Sequence, residues 1–126
     1  MNNILLLFTM IFLHIIDDYG LQGILASMKQ KNWWENQEQY SDKYKYDYIM
    51  ALVMHSFSWA FMIMSPILFT MPQQVKVSFI IAFIVNVIIH AIVDDLKANK
   101  LKINLVQDQL IHLMQIVVTW LILINI

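Results

Sequence analysis

Cysteine is absent from the 126 residues. That excludes disulfides, iron–sulfur ligation and thiolate zinc sites, and leaves His, Asp, Glu and water as the metal ligands the protein can offer. Arginine is absent too, so the bidentate phosphate fork is missing and all eight cations are lysines. Glycine and proline number two each, which leaves little sequence for long flexible linkers. Charge is also scarce: 13% of residues are charged, against about 25% in ordinary soluble domains. With a net charge of −1 there is no basic patch, and nucleic acid is not an expected partner.

Hydrophobic residues make up 60% of the sequence and mean hydropathy is +0.61. Four apolar stretches stand out, Ile4–Asp18, Tyr48–Phe69, Val77–Val93 and Leu105–Ile126. A membrane span needs about 20 mostly apolar residues. The second and fourth stretches meet that length, and the third lies near its lower limit. The first reaches it by continuing through Leu21, Ile24 and Leu25, with a bend at Gly20 or Gly23. Met1-Asn2-Asn3 runs straight into apolar sequence without a positive segment or a small-residue cleavage site, so the first stretch is read as a retained span. The expected fold is an all-α integral membrane four-helix bundle, a single four-span domain over residues 1–126.

Connections are expected at Lys29–Asp47, Thr70–Lys76 and Leu96–Asn104. The first carries Lys29, Lys31, Lys43 and Lys45 and the third carries Lys97, Lys100 and Lys102, while the second has Lys76 alone. Four spans put the first and third connections on one side, and the lysine bias makes that side cytoplasmic. Both termini then face away from the cytoplasm, in a bacterial inner or plasma membrane. Between Trp33 and Tyr48, Trp33, Trp34, Tyr40, Tyr44, Tyr46 and Tyr48 are interleaved with charge. They read as an interfacial aromatic belt, with a short helix lying on the lipid headgroups.

Against this apolar background the ionisable residues fall at one spacing. His14 and Asp18, His90 and Asp94, and Asp108 and His112 are each four apart, one helical turn on one face. His55 stands alone. With a rise of about 1.5 Å per residue, all four histidines lie roughly 5–10 Å inside the lysine-rich boundary. A single histidine at such a boundary is ordinarily a satisfied interfacial residue, and Asp17 and Asp95 read as end-of-helix charges facing water. Asn86 and Gln115 read as hydrogen-bonding glue between helices. Three His/Asp pairs at a common depth, where each carboxylate is costly, instead predict one shared polar centre.

The same residues resemble the pattern of a family of small integral membrane proteins of bacteria and their phages that carries no assigned function. The pattern is HxxxD(F/Y)xxQ, then a lysine, then a central histidine, followed by HxxxDxxK and DQxxH. The matching residues are His14, Asp18, Tyr19 and Gln22, then Lys29, His55, His90, Asp94 and Lys97, and finally Asp108, Gln109 and His112. The resemblance spans nearly the whole sequence and favours Asp18 and Asp94 over Asp17 and Asp95 as the inward carboxylates. Its polar pattern is also similar to that of membrane-bound metal-dependent hydrolases, which place His and Asp at helix ends.

Three function classes can use such a centre. In the leading one, a metal-dependent hydrolase, His14, Asp18, His55, His90, Asp94, Asp108 and His112 bind a divalent metal, zinc or another transition metal such as Mn or Fe. Gln22, Lys29, Lys97 and Gln109 then contact substrate, a lipid-linked phosphoester at the cytoplasmic leaflet. The second class is an ion or proton channel or a metal transporter, built as a homo-oligomer around the polar face. The third is a phage accessory protein that binds a host membrane protein. For the orientation, the lysine bias predicts that a cysteine introduced by Lys43→Cys or Lys102→Cys reacts with an impermeant maleimide only after permeabilisation. Asn2→Cys is predicted to react in intact cells, and the reverse pattern would invert the topology.

Overall fold

Each apolar stretch folds as a long helix, because every backbone N–H and C=O in such a run finds its partner within the segment. A computed structural model describes residues 2–74 and 76–125. Helix α1 covers Asn3–Ile16 and continues as a π turn over Asp17–Leu21. Two short helices follow, α2 (Leu25–Met28) and α3 (Lys31–Glu35), then a 3-10 turn at Asp42–Tyr44. Helix α4 spans Asp47–Thr70, α5 Val77–Ala98 and α6 Leu105–Ile124. No strand occurs among the described residues. The four long helices form a bundle, with α4 between α1 and α5 and α6 closing the ring between α5 and α1. Met1, Val75 within the second connection and Ile126 at the end of the fourth stretch lie outside the described residues.

Local chemistry sets the helix ends. The Asn2 side chain accepts from the backbone N–H of Ile4 at 2.9 Å. At α6 the Asn104 side chain accepts from the Gln107 N–H while the Gln107 side chain accepts from the Asn104 N–H, both at 3.0 Å. This reciprocal box satisfies two donors that a helix start otherwise leaves open. Helix α5 runs beyond the expected Val93 to Ala98. Hydropathy marks where apolar residues stop, whereas the helix goes on through Asp94, Asp95 and Lys97, whose charges find partners. The first span likewise extends to Leu21, where the N–H of Gln22 reaches the carbonyl of Asp17 five residues back.

The bundle is apolar outside and divided inside. Phe8 and Phe12 on α1, Met54 and Phe57 on α4, Ile84 and Ile88 on α5, and Leu110 and Met114 on α6 are all exposed. All four spans are long and apolar enough to cross a membrane. An outward-facing apolar surface is what a lipid environment selects, and it fits an integral membrane protein. Inside, Leu6, Met10, Trp59, Ala60, Ile63, Met64, Ile67, Ile116 and Leu123 form the apolar core. That core fills the end away from the lysine-bearing connections. The His/Asp residues occupy the other end, and the buried Asn86, Gln115 and Thr119 lie on their core side.

The first connection holds one short helix, α3, as expected, and a 3-10 turn, with α2 just before it. Asn99 moors it to α5, donating to the Lys29 carbonyl at 3.0 Å and accepting from the Lys31 N–H at 2.7 Å. A surface hollow of about 600 Å³ lies among Trp33, Trp34, Tyr40 and Tyr44, within this connection and apart from the histidines. Asn104→Ala is predicted to cost about 1 kcal/mol of stability through loss of the cap. Reversible unfolding by sodium dodecyl sulfate in mixed micelles, followed by circular dichroism, measures it.

Candidate metal centre

All four histidines are buried, at 1% exposure or less, and they meet at one level of the bundle. His55, unpaired in sequence, lies at its middle. Its Nε2 is 3.2 Å from His90 Nε2, 3.4 Å from Asp94 Oδ2 and 3.5 Å from Asp18 Oδ1. His112 Nε2 lies 3.3 Å from Asp108 Oδ1 and 3.5 Å from Asp94 Oδ1. Two adjoining groups of ligand atoms result, Asp18 with His55 and His90, and His90 with Asp94 and His112. His90 belongs to both. Bonds of about 2.0–2.1 Å to a tetrahedral zinc would place neighbouring ligand atoms about 3.3–3.4 Å apart. The observed separations of 3.2–3.5 Å bracket that value.

Hydrogen bonding supports the same reading of the donor set. Asp18 Oδ1, Asp108 Oδ1 and His112 Nε2 are buried without a hydrogen-bond partner. Buried polar atoms ordinarily find partners, and orphaned ones clustered together point to a missing ion or water. Charge points the same way. Asp17, Asp18, Asp94 and Asp108 bring four carboxylates to this level, and two ammonium groups answer them. Lys29 Nζ lies 2.6 Å from Asp94 Oδ2 and Lys97 Nζ 2.7 Å from Asp108 Oδ2. With neutral imidazoles, two negative charges remain, the complement of one divalent cation. The residues present therefore suit a metal ion.

The remaining expected residues take distinct places. His14 accepts at Nδ1 from the Trp59 indole N–H at 2.8 Å, and its Nε2 meets Gln109 Oε1 at 3.1 Å. Both ring nitrogens thus have hydrogen-bond partners, Asp18 Oδ2 lies a further 3.5 Å from Nδ1 as the spacing of four predicts, and His14 belongs to neither of the two ligand groups. Gln109 also donates to Asp18 Oδ2 at 3.3 Å and to Asp108 Oδ2 at 3.0 Å. Gln22 donates to the backbone carbonyl of Asp18 at 2.8 Å. Lys29, expected against a headgroup, is only 8% exposed and serves as an internal counter-ion. Lys97 does the same for Asp108 but keeps a third of its side chain exposed.

Asp17 corrects the expectation of a water-facing charge. It is 1% exposed, accepts from Ser58 Oγ at 2.7 Å, and turns Oδ2 toward His55 Nδ1 at 3.8 Å. The π turn is the physical cause, since it adds one residue to the last turn of α1 and accommodates both neighbouring carboxylates inside. A carboxylate behind an imidazole is the usual outer partner of a metal-binding histidine. Ser58, on α4, thereby fixes the other oxygen of Asp17. Asp95 does face outward, 2.8 Å from Lys100, and this hydrogen bond holds the lysine ammonium above its ordinary range.

Trp59 and Thr119 are further residues that sequence reasoning passed over. Trp59 stacks on His90 with ring centroids 4.2 Å apart, and the Thr119 hydroxyl accepts from Asn86 at 2.8 Å. Spacing carried a signal for both. Trp59 follows His55 by four residues, Asn86 precedes His90 by four, and Thr119 follows Gln115 by four.

The protein matches no protein-family model, no curated protein and no solved structure. Lys29→Met is predicted to destabilise the metal-free protein by about 3–5 kcal/mol, because it strands a buried carboxylate. Lys97→Met, at a more open position, is predicted to cost less than half as much. Unfolding of both variants in mixed micelles, with chelator present, measures the difference.

Proposed function

We propose that this protein is a membrane-embedded, metal-dependent hydrolase whose substrate is a lipid-linked phosphoester at the cytoplasmic leaflet. The observation that carries the reading is the convergence of buried His and Asp ligand atoms, with Asp18 Oδ1, Asp108 Oδ1 and His112 Nε2 lacking hydrogen-bond partners, where four carboxylates face two lysine ammonium groups. His55, His90 and His112 with Asp94 are the ligands of this centre, and Asp18 and Asp108 border it. His14 acts as an orienter. Zinc is the favoured ion, with Mn and Fe as the other transition metals that such a nitrogen and oxygen set accepts. When bound, the cation supplies Lewis acidity, polarising a phosphoryl oxygen and acidifying a water.

The protein's own groups supply the rest. Lys97 spends one donor on Asp108 and has two left for phosphoryl oxygens at the more open side of the centre. Asp18 Oδ1, free of hydrogen bonds, takes the proton of the attacking water. Gln109 fixes the other oxygen of Asp18 and keeps it on the same side. A centre at headgroup depth suits a substrate whose reactive phosphate is held at the membrane surface by its own lipid.

A second reading, a proton or ion conductor or a metal transporter, is favoured by the 3.2 Å approach of His55 Nε2 to His90 Nε2. Two protons shared among the imidazoles balance the charge as well as one divalent cation does.

Metal analysis of the detergent-purified protein separates the two. The hydrolase reading predicts about one metal per protein molecule, lost at least tenfold in His55→Ala, His90→Ala and His112→Ala, and largely retained in His14→Ala. Phosphate release from a lipid-linked phosphoester in mixed micelles should follow metal content. A well-folded wild type without metal under zinc, manganese and iron supplements would sink the hydrolase. Proton flux in liposomes would then support conduction, and its absence would leave binding to a partner membrane protein.

A further inference from the structure

We propose that Thr119, Asn86 and Gln115 form a positioning relay that fixes how His112 faces the centre, with its Nδ1–H held outward by Gln115 and its Nε2 presented inward. The relay uses residues that the proposed function leaves without a role. It deepens that reading, since its consequence for metal affinity rests on the metal centre. The orientation itself stands on hydrogen bonds alone.

The direction of each bond follows from atoms that have no choice. The Asn86 side chain approaches the backbone carbonyl of Ala82 at 2.9 Å, and a carbonyl only accepts. The approaching atom is therefore the amide nitrogen, Nδ2, which also donates to Thr119 Oγ1 at 2.8 Å. Asn86 Oδ1 then points at Gln115, whose Nε2 lies 3.2 Å away. The same Nε2 donates to the backbone carbonyl of Asn86 at 3.3 Å, which fixes the Gln115 amide independently. Gln115 Oε1 is left facing His112 Nδ1 at 3.3 Å. An amide oxygen only accepts, so Nδ1 carries the hydrogen. Nε2 is the nitrogen left for the centre, where Asp108 and Asp94 lie within 3.5 Å.

His14 is held the opposite way, by the same logic. An indole N–H only donates, so Trp59 makes His14 Nδ1 the acceptor and leaves the hydrogen on Nε2, toward Gln109. Two histidine rings with centroids 5.9 Å apart are thus set in opposite senses by partners outside the carboxylate cluster. One has its free nitrogen consumed by tryptophan. The other has its nitrogen delivered to the centre.

Imidazole 1H–15N spectra of the 15N-labelled, metal-free full-length protein in detergent test the relay directly. The expected result is an exchange-protected Nδ1–H on His112 and an exchange-protected Nε2–H on His14. Gln115→Leu should abolish the His112 signal and spare that of His14, whereas Gln115→Glu, whose carboxyl oxygen still accepts, should restore it. Zinc affinity should fall about 10–100-fold in Gln115→Leu, the usual effect of losing a ligand's outer partner, and recover in Gln115→Glu. A wild-type His112 protonated at Nε2 alone overturns the relay, and so does an unchanged His112 signal in Gln115→Leu. Both signatures in a wild type that binds no zinc would support the relay and overturn the metal reading. Zinc binding without the His112 Nδ1–H would do the reverse.

Discussion

Local balance of buried charge is the constraint on which the rest of this bundle depends. Asp94 and Asp108 are almost wholly enclosed, and isolated carboxylates cannot remain ionised in such surroundings without a partner. Each receives an ammonium group from a different segment, Lys29 from the first connection and Lys97 from α5. These two pairs tie the loop end of the bundle together. They also explain why α5 continues past its apolar stretch: the helix must reach Lys97 to place its ammonium beside Asp108. The charge that the lysines leave unanswered is what gives the centre its capacity for a cation.

The interior is consequently split into two chemistries that share one set of helices. Beyond the histidines, α1, α4 and α6 contribute Leu6, Ile63, Ile67 and Leu123 to a dry core. Trp59 sits at the seam, fully buried, its ring against His90 and its indole N–H committed to His14. A large apolar ring with one polar edge is suited to such a boundary. On the far side of the cluster, polarity continues about one turn deeper at Asn86 on α5 and Gln115 on α6, and about two turns deeper at Thr119, with both amides oriented by neighbours. The cluster is therefore held from its loop end by charge and from its core end by directional hydrogen bonds.

Much of this was legible in the sequence, because helical periodicity and hydropathy act locally. The spacing of four placed His14, His90, Asp94, Asp108 and His112 on inward faces, and helix length placed His55 at their depth without any motif. The all-α bundle followed from four apolar stretches. The features that escaped depend on the third dimension. Asp17 looked like a water-facing terminus because nothing in a residue-by-residue reading signals a π turn: the doubled aspartate at Asp94-Asp95 lies in a regular α-helix. Lys29 looked like a headgroup contact because its sequence position is interfacial, whereas Asn99 turns the backbone so that its ammonium goes inward. His14 looked equivalent to the other histidines until Trp59, from another helix, took its free nitrogen.

The Asn99 side chain grips the backbone on both sides of Gln30, at the residue whose ammonium reaches Asp94. The aromatic connection and the buried centre therefore share a fulcrum: Trp34 donates to the Met28 carbonyl at 2.6 Å, Asn99 holds the backbone on either side of Gln30, and between these two anchors Lys29 reaches inward to Asp94. The charge balance of the buried carboxylates thus depends on the backbone of a segment that lies outside the bundle.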